Sequence, residues 1–542
     1  MQSSVPTPST TPFASSEPLD LVLRGGTVLD GLGGPPVRAD VGVRNGRIAA
    51  MGNLEGAQTG RVLDCADWFV APGFVDIHTH SDLSVLFTPG MESSLAQGVT
   101  SEVVGNCGFA VGLAQSGEAF AQEQRFLAGG GVALDWNDLA GFLHRIEDNG
   151  IAINVATLAG HGTLRKRVVG NVARLLDARE AAQMRRELED ALEAGAVGLS
   201  SGLEYVPGMY ADVAELTDLA RITKQAGGFY ATHLRDEGDQ LEEAVAEAIA
   251  VAEGAGIALQ LSHHKAEKPR NWGKITRTLK EVSAARERGV DILLDQYPYT
   301  AYQTALATIV LPPWAVGGTP HETATRLRDP ETRASVWATM EFDGHALELT
   351  GCPHHREWQG RTIADLAHEH GRDTRDMVLD ILADADGFVS AAHFALSETD
   401  VESIMRDERV MIASDGVAAH PPETATPDEG RPHPRAYGTF GRVLGRYVRE
   451  KNLLTWPEAI RRMTSLPASR LGWTDRGRIA PGMWADICVF DPSRIGDTAT
   501  FANPHSYAVG VEYVLVEGTV ALERGVFSGT RSGRVLRRLE NS

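Results

Sequence analysis

The sequence predicts an α/β fold: a (β/α)8 barrel, with a small β domain built from both chain ends and an inserted subdomain before the last barrel strand. Three observations predict it. Short apolar segments alternate with helix-like stretches through the middle of the chain, the pattern of a parallel sheet with helices outside. Both ends share a different texture of short apolar runs broken by turns. Side chains able to bind metal recur where the predicted barrel strands finish.

Residues 1–18 are rich in Ser, Thr and Pro and lack a basic start or an apolar run, so they read as a disordered tail and not a signal peptide. In 19–70, LDLVLRGGTVLDG and ADVGVRNGRIAAMG read as strands joined by Gly-rich and Asn-Gly turns. The texture returns in 475–542 with GRIAPGMWADICVFDP and VEYVLVEGTVALERG. Between them, 71–474 is assigned to the barrel. Its candidate strands are FVDIHTH, TSEVVGNCG, INVATLAGHG, AVGLSSGL, GFYATHL, IALQLSHH, DILLDQYPY and VMIASDG. Residues 212–226 and 241–253 carry apolar side chains at helical spacing. Residues from about 311 to 391 break the rhythm and are too many for a simple crossover, so they are expected to form an inserted subdomain or lid.

Bulk properties narrow the function. Of 542 residues 43% are hydrophobic and 23% charged, which suits a large globular core. A net charge of −21 argues against a nucleic-acid partner, because phosphate binding needs a basic surface. The four cysteines are scattered without a CxxC pair, so neither a disulfide framework nor a zinc ribbon is indicated. No apolar run is long enough to span a membrane, and a cytoplasmic location is the expectation. Oligomeric state is open.

The candidate chemistry falls at the strand ends. His78 and His80 form an H-x-H at period two, so both imidazoles leave the same side of a strand. Cys107 sits in a glycine-bounded turn, where a thiolate beside a divalent cation makes a strong zinc ligand. His233 and His263 end the next well-defined apolar strands and complete a Cys/His2 set with an open fourth position. Asp415, in Ala-Ser-Asp-Gly at the last strand, is either a turn aspartate or the carboxylate that takes a proton from metal-activated water and returns it to the leaving nitrogen. Taken alone, each of these residues has an ordinary structural reading; five strands delivering them to one rim favour the chemical one.

These residues lie in PGFVDIHTHSD, GVTSEVVGNCGFA, AGHGTLR, GLSSGLEYVPGMYA, THLRDEG, SHHK, DQYPYTA, ASDG and HPRAYGTF. In that order, from about residue 19 to 538, the chain resembles the amidohydrolase superfamily, and within it the N-acyl-D-amino-acid deacylase (D-aminoacylase) branch. The resemblance implies a metallo-hydrolase barrel that uses zinc-activated hydroxide to cleave the amide of a small N-acylated D-amino acid. It implies one tight zinc site at Cys107, His233 and His263, a second and weaker metal site at His78 and His80 with Cys107 bridging, and Asp415 as general acid/base. Relatives that bridge two metals with a carboxylated lysine carry it after the fourth strand; AVGLSSG has none, consistent with cysteine in that place. The resemblance also puts the substrate carboxylate at Lys265, Tyr297 and Arg435. It lines the side-chain pocket with Glu204, Gln303, Thr304, His393 and Leu396, a polar set that suggests a polar or basic substrate side chain.

Other motifs compete. Gly198–Gly202 matches G-x-S-x-G around Ser200, but LEYVPG follows where a nucleophile elbow needs a helix. Cys352, His354 and His355 sit close together inside the insertion and read as loop. His161 at a strand end either lines the site, stabilises an oxyanion or packs. Three rival functions remain: a cyclic-amide hydrolase of the dihydroorotase or hydantoinase kind, a serine hydrolase, and a non-enzymatic barrel scaffold.

Overall fold

The computed structural model describes residues 17–111, 132, 134–317, 319–385, 389–425 and 430–538. The barrel strands are β1 (Phe74–Asp76), β2 (Val99–Val104), β3 (Asn154–Thr157, continuing as Ala159–Gly160), β4 (Gly198–Gly202), β5 (Phe229–His233), β6 (Leu259–Leu261), β7 (Ile292–Gln296) and β8 (Val410–Ile412). Every residue of these strands is buried, as expected of parallel strands covered on both faces. All eight candidate segments therefore contain barrel strands.

The ladder runs β1–β2–β3 on one side and β8–β7–β6–β5–β4 on the other, with Ala159 opposite Leu199 and Gly160 opposite Ser200 joining the second half of β3 to β4. The ring closes just beyond the strands. Thr79 bridges Gly416 in parallel, His78 O accepts from Asp415 N at 2.8 Å, and His80 N donates to Gly416 O at 2.7 Å. The closure thus sits on the residues predicted to do chemistry. The first half of β3 has a different neighbour: Val155 bridges Val535, and Val155 N and O bond Arg534 O and Leu536 N. Residues 533–536 therefore run beside a barrel strand, although they follow the strands of the flanking β sheet in sequence.

That flanking sheet has nine strands. Leu19–Val28, Val37–Arg44, Arg47–Gly52, Thr59–Asp64 and Phe69–Pro72 come from the start of the chain, and Ile487–Phe490, Val511–Val516, Thr519–Glu523 and Val526–Phe527 from its end. The two halves join where Phe69–Pro72 pairs antiparallel with Ile487–Phe490. Outside the barrel lie helices such as α1 (Val213–Gln225) and α2 (Leu241–Ala255). Asp212 caps α1 through Glu215 N, and Gly256 ends α2 in a left-handed conformation.

Between β7 and β8 an extra layer begins earlier than the sequence suggested. Tyr302–Ala305 pairs antiparallel with Ser390–His393, which also pairs with Leu347–Gly351. Helices fill the remainder, around a separate apolar cluster that includes Leu306, Leu347, Leu366, Val378 and Leu382. The strand YQTA is half-buried throughout and lacks apolar alternation, which is why its start was not legible. Among the described residues no helix is long and apolar enough to cross a membrane.

Candidate active site

Cys107, His263 and Asp415 share an uncommon backbone: their φ angles are +51°, +33° and +51°. A non-glycine residue in this left-handed region costs about 1–3 kcal/mol, tolerated where surrounding structure dictates it. Each lies just past a strand, and the reversed backbone turns its side chain over the barrel mouth.

There the side chains converge. Cys107 Sγ lies 3.3 Å from His78 Nε2 and 3.4 Å from His263 Nε2. His263 Nε2 is 3.0 Å from His233 Nδ1. Asp415 Oδ1 is 3.1 Å from His80 Nε2 and 3.4 Å from His78 Nε2. Two overlapping donor groups result, each with its ligand atoms within 4.8 Å: His78, Cys107, His263 and Asp415, and His233, Glu237 and His263. One thiolate, several imidazoles and carboxylates form a donor set that suits zinc, and nothing apolar separates them.

The outer contacts fix the rings. His78 Nδ1 sits 3.1 Å from Asp295 Oδ1, and the buried Asp295 also accepts from His263 N (2.7 Å) and Gln260 Nε2 (2.6 Å). His263 Nδ1 lies 3.1 Å from Glu237 Oε1 and 2.9 Å from Lys265 Nζ, while Lys265 pairs with Glu237 Oε2 at 2.5 Å. A carboxylate behind an imidazole sets its tautomer and raises its basicity as a ligand. Asp295, Glu237 and Gln260 were not singled out from the sequence. The signals were an acid and two amides inside apolar strands (Gln260, Asp295, Gln296) and a glutamate four residues after His233.

Charge follows from this packing. Burial opposes ionisation of Cys107, but the cationic forms of His78 and His263 outweigh it and hold the thiol well below its ordinary value. Burial likewise opposes the charge on Asp415; the Arg435 guanidinium, 2.6 Å from Oδ2, overcomes it, so the carboxylate stays ionised well below the usual range. For His80, burial is outweighed by the hydrogen bond to Asp415, and its value rises to about 9.

A cavity of about 750 Å3 opens above the cluster. It is lined by His80, Cys107, His233, His263, Lys265, Asp415 and Arg435, and by Glu204, Gln303 and Thr304 among the predicted pocket residues. Glu204 Oε2 sits 2.8 Å from His233 Nε2. Three predicted substrate positions do not line it, nor does the predicted ligand His78. Tyr297 lies beneath, its ring 5.0 Å from the Arg435 guanidinium and its buried hydroxyl without a hydrogen-bond partner among the described residues. His393 faces the Tyr302 hydroxyl at 2.9 Å, and Leu396 packs with Tyr297 and Tyr299. His393 lies beside Tyr302 in the sheet that pairs Tyr302–Ala305 with Ser390–His393, and neither it nor Leu396 reaches the cavity wall.

The competing motifs find structural places. Ser200 Oγ donates to Gly105 O at 2.5 Å and accepts from Gly108 N at 3.0 Å, so it clamps both sides of the Cys107 turn. His161 Nε2 is 2.8 Å from Glu215, and Glu215 also pairs with buried Arg165. His161 is thus tied to α1 and does not line the cavity. Cys352 is buried in the inserted layer, and His355 stacks on Trp358 with centroids 3.7 Å apart.

A closed barrel with thiolate, imidazole and carboxylate donors on the mouth where its strands end defines a metal-dependent hydrolase. Residues 61–522 match the amidohydrolase family, and the chain belongs to it. More particularly, it is 41% identical to the N-acyl-D-glutamate deacylase of Alcaligenes xylosoxydans xylosoxydans over 522 residues, covering 96% of this chain and 97% of that protein. It is 35% identical to the D-aminoacylase of the same organism, covering 97% and 99%. Its structure is similar to that of the N-acyl-D-glutamate deacylase from Bordetella bronchiseptica complexed with zinc and a phosphonate mimic of the tetrahedral intermediate. There the TM-score is 0.81 and the identity 36%, over 96% of this chain and 100% of that one.

Proposed function

We propose that this chain hydrolyses the amide bond of N-acyl-D-amino acids, releasing a carboxylate and a free D-amino acid, with zinc as the metal. The observation that carries the reading is the ionised Asp415 carboxylate beside a low-pKa thiol and clustered imidazoles at one barrel mouth. Cys107, His233 and His263 would hold the tight zinc; His78 and His80, with Cys107 shared, would offer the second, weaker site. When bound, the metal supplies acidification of water to near neutral pH and polarisation of the acyl carbonyl.

The protein's own groups do the rest. Asp415 accepts the proton of the attacking water and passes it to the leaving nitrogen, a role its ionised state permits. Arg435 holds that carboxylate in place and keeps further guanidinium donors for the substrate carboxylate. Lys265 is a second anchor, kept charged by Glu237, and Tyr297 lies beneath both cations. Glu204, Gln303 and Thr304 on the cavity wall favour a polar or basic substrate side chain, to which they offer polar atoms beyond their contacts with His233, Thr350 and Tyr205.

The deciving measurement is product release from paired N-acetyl-D and N-acetyl-L amino acids, with and without added zinc. The reading requires zinc-dependent release from the D series. Within that series, a clear preference for N-acetyl-D-leucine would end the polar-pocket assignment.

A further inference from the structure

The cavity does not stop at the polar site. Past Thr304 its wall passes to the inserted layer, through Ala305, Ile309, Val316, Leu382 and Val389. Leu382 and Val389 belong to that layer's apolar core, and Ile309 and Val316 pack against it. Among the described residues, every Asp, Glu, Lys, Arg and His lining the cavity comes from outside residues 302–393. The space is therefore two-ended: ionisable at the metal donors, and past Thr304 uncharged and mainly apolar, with the hydroxyls of Thr308, Thr323 and Ser390 among the aliphatic side chains.

Size makes the same division. At about 750 Å3 the cavity lies in the upper part of the range of about 300–1,000 Å3 that encloses drug-sized ligands. An acetylated amino acid anchored at Lys265 and Arg435 fills only the ionisable end. Water against the remaining apolar wall is unfavourable and is displaced with gain by an aliphatic group. That group is assigned apart from the amino-acid side chain, which the reading above gives to the polar set Glu204, Gln303 and Thr304 bordering this stretch.

We propose that the apolar end receives the acyl chain, so that the preferred substrates are D-amino acids carrying a medium-chain aliphatic acyl group in place of acetyl. The proposal rests on the hydrolytic reading above and names its substrate class. In the reaction the amide C–N bond breaks, water adds hydroxyl to the acyl carbon and a proton to nitrogen, and a fatty acid leaves with the free D-amino acid.

The test compares kcat/KM of the zinc-loaded enzyme for N-acetyl-, N-butanoyl- and N-octanoyl-D-glutamine. Each methylene buried in the apolar end is expected to raise kcat/KM about twofold to fourfold. In I309D and V316W the octanoyl-to-acetyl ratio should collapse towards one; because the ratio is taken within one preparation, loss of folded enzyme cancels. A flat dependence on chain length, or an unchanged ratio in both variants, overturns the proposal. A gain seen only when the D-side chain of an N-acetyl substrate is lengthened overturns it too, by giving the apolar end to the side chain. If no N-acyl-D-amino acid is cleaved at all, the hydrolytic reading itself fails and takes the proposal with it.

Discussion

Asp415 and His433 illustrate how single side chains are set to their charge state. Asp415 is buried, yet it keeps its charge through Arg435 and hydrogen-bonded imidazoles. Asp415→Asn preserves its shape and removes its basicity. kcat on an N-acyl-D-amino acid should fall about 100-fold to 10,000-fold, with zinc content measured on the same samples unchanged. His433 is set the opposite way. Burial, helped by the nearby Arg435 cation, holds its imidazole well below the usual value. Its Nε2 donates to Ala301 O at 3.0 Å, and Nδ1 accepts from Arg435 N at 3.0 Å, so the folded site needs the neutral ring. Unfolding then takes up a proton below about pH 6.5, and stability drops as pH falls through that value by at most about 1.4 kcal/mol per unit. His433→Asn keeps an acceptor for Arg435 N and should flatten this slope in urea melts run from pH 7 to pH 5.

At the scale of elements, β4 supports the metal centre without supplying a donor. Its Ser200 hydroxyl joins Gly105 to Gly108 and so fixes the turn that carries Cys107. Ser200→Ala should weaken zinc affinity about 10-fold to 100-fold, the usual effect of losing an outer support, read by competition with a coloured chelator. Loss of activity with zinc affinity intact would instead revive Ser200 as a nucleophile. The contrast between Ser200 and Asp295 shows what sequence can reveal here. Strands β1 to β8 were legible because buried parallel strands are apolar runs, and the donors because imidazole and thiol stand out at their ends. Asp295 was not, since its role appears only once β7 lies beside β6 and places its carboxylate behind His78 and His263. His393 and Leu396 do not reach the cavity wall, because strand pairing holds His393 beside Tyr302 and Leu396 packs with Tyr297 and Tyr299, contacts that YQTA, without a periodic signature, does not announce.

Taken whole, the molecule gathers its candidate donors from residues 78 to 415 on one mouth, so a metal ion held there would link most barrel strands at once. A ligand held only by the folded state stabilises it by about 2.7 kcal/mol at 100 times its Kd. Removing zinc with a chelator should lower Tm by a few degrees, and re-adding zinc should restore both Tm and activity; a Tm indifferent to chelation would contradict a metal held by these donors. The segment 533–536 beside β3 has a consequence of a different kind. Arg534 N bonds Asn154 Oδ1 across 380 positions of sequence, so one stave of the barrel waits for a partner that the ribosome delivers hundreds of residues later. Until then the first half of β3, paired with β2 on one side only, presents its other edge to whatever strand drifts past. Nascent chains halted short of residue 530 should consequently clump or call on chaperones, although every donor in the catalytic mouth has already been translated.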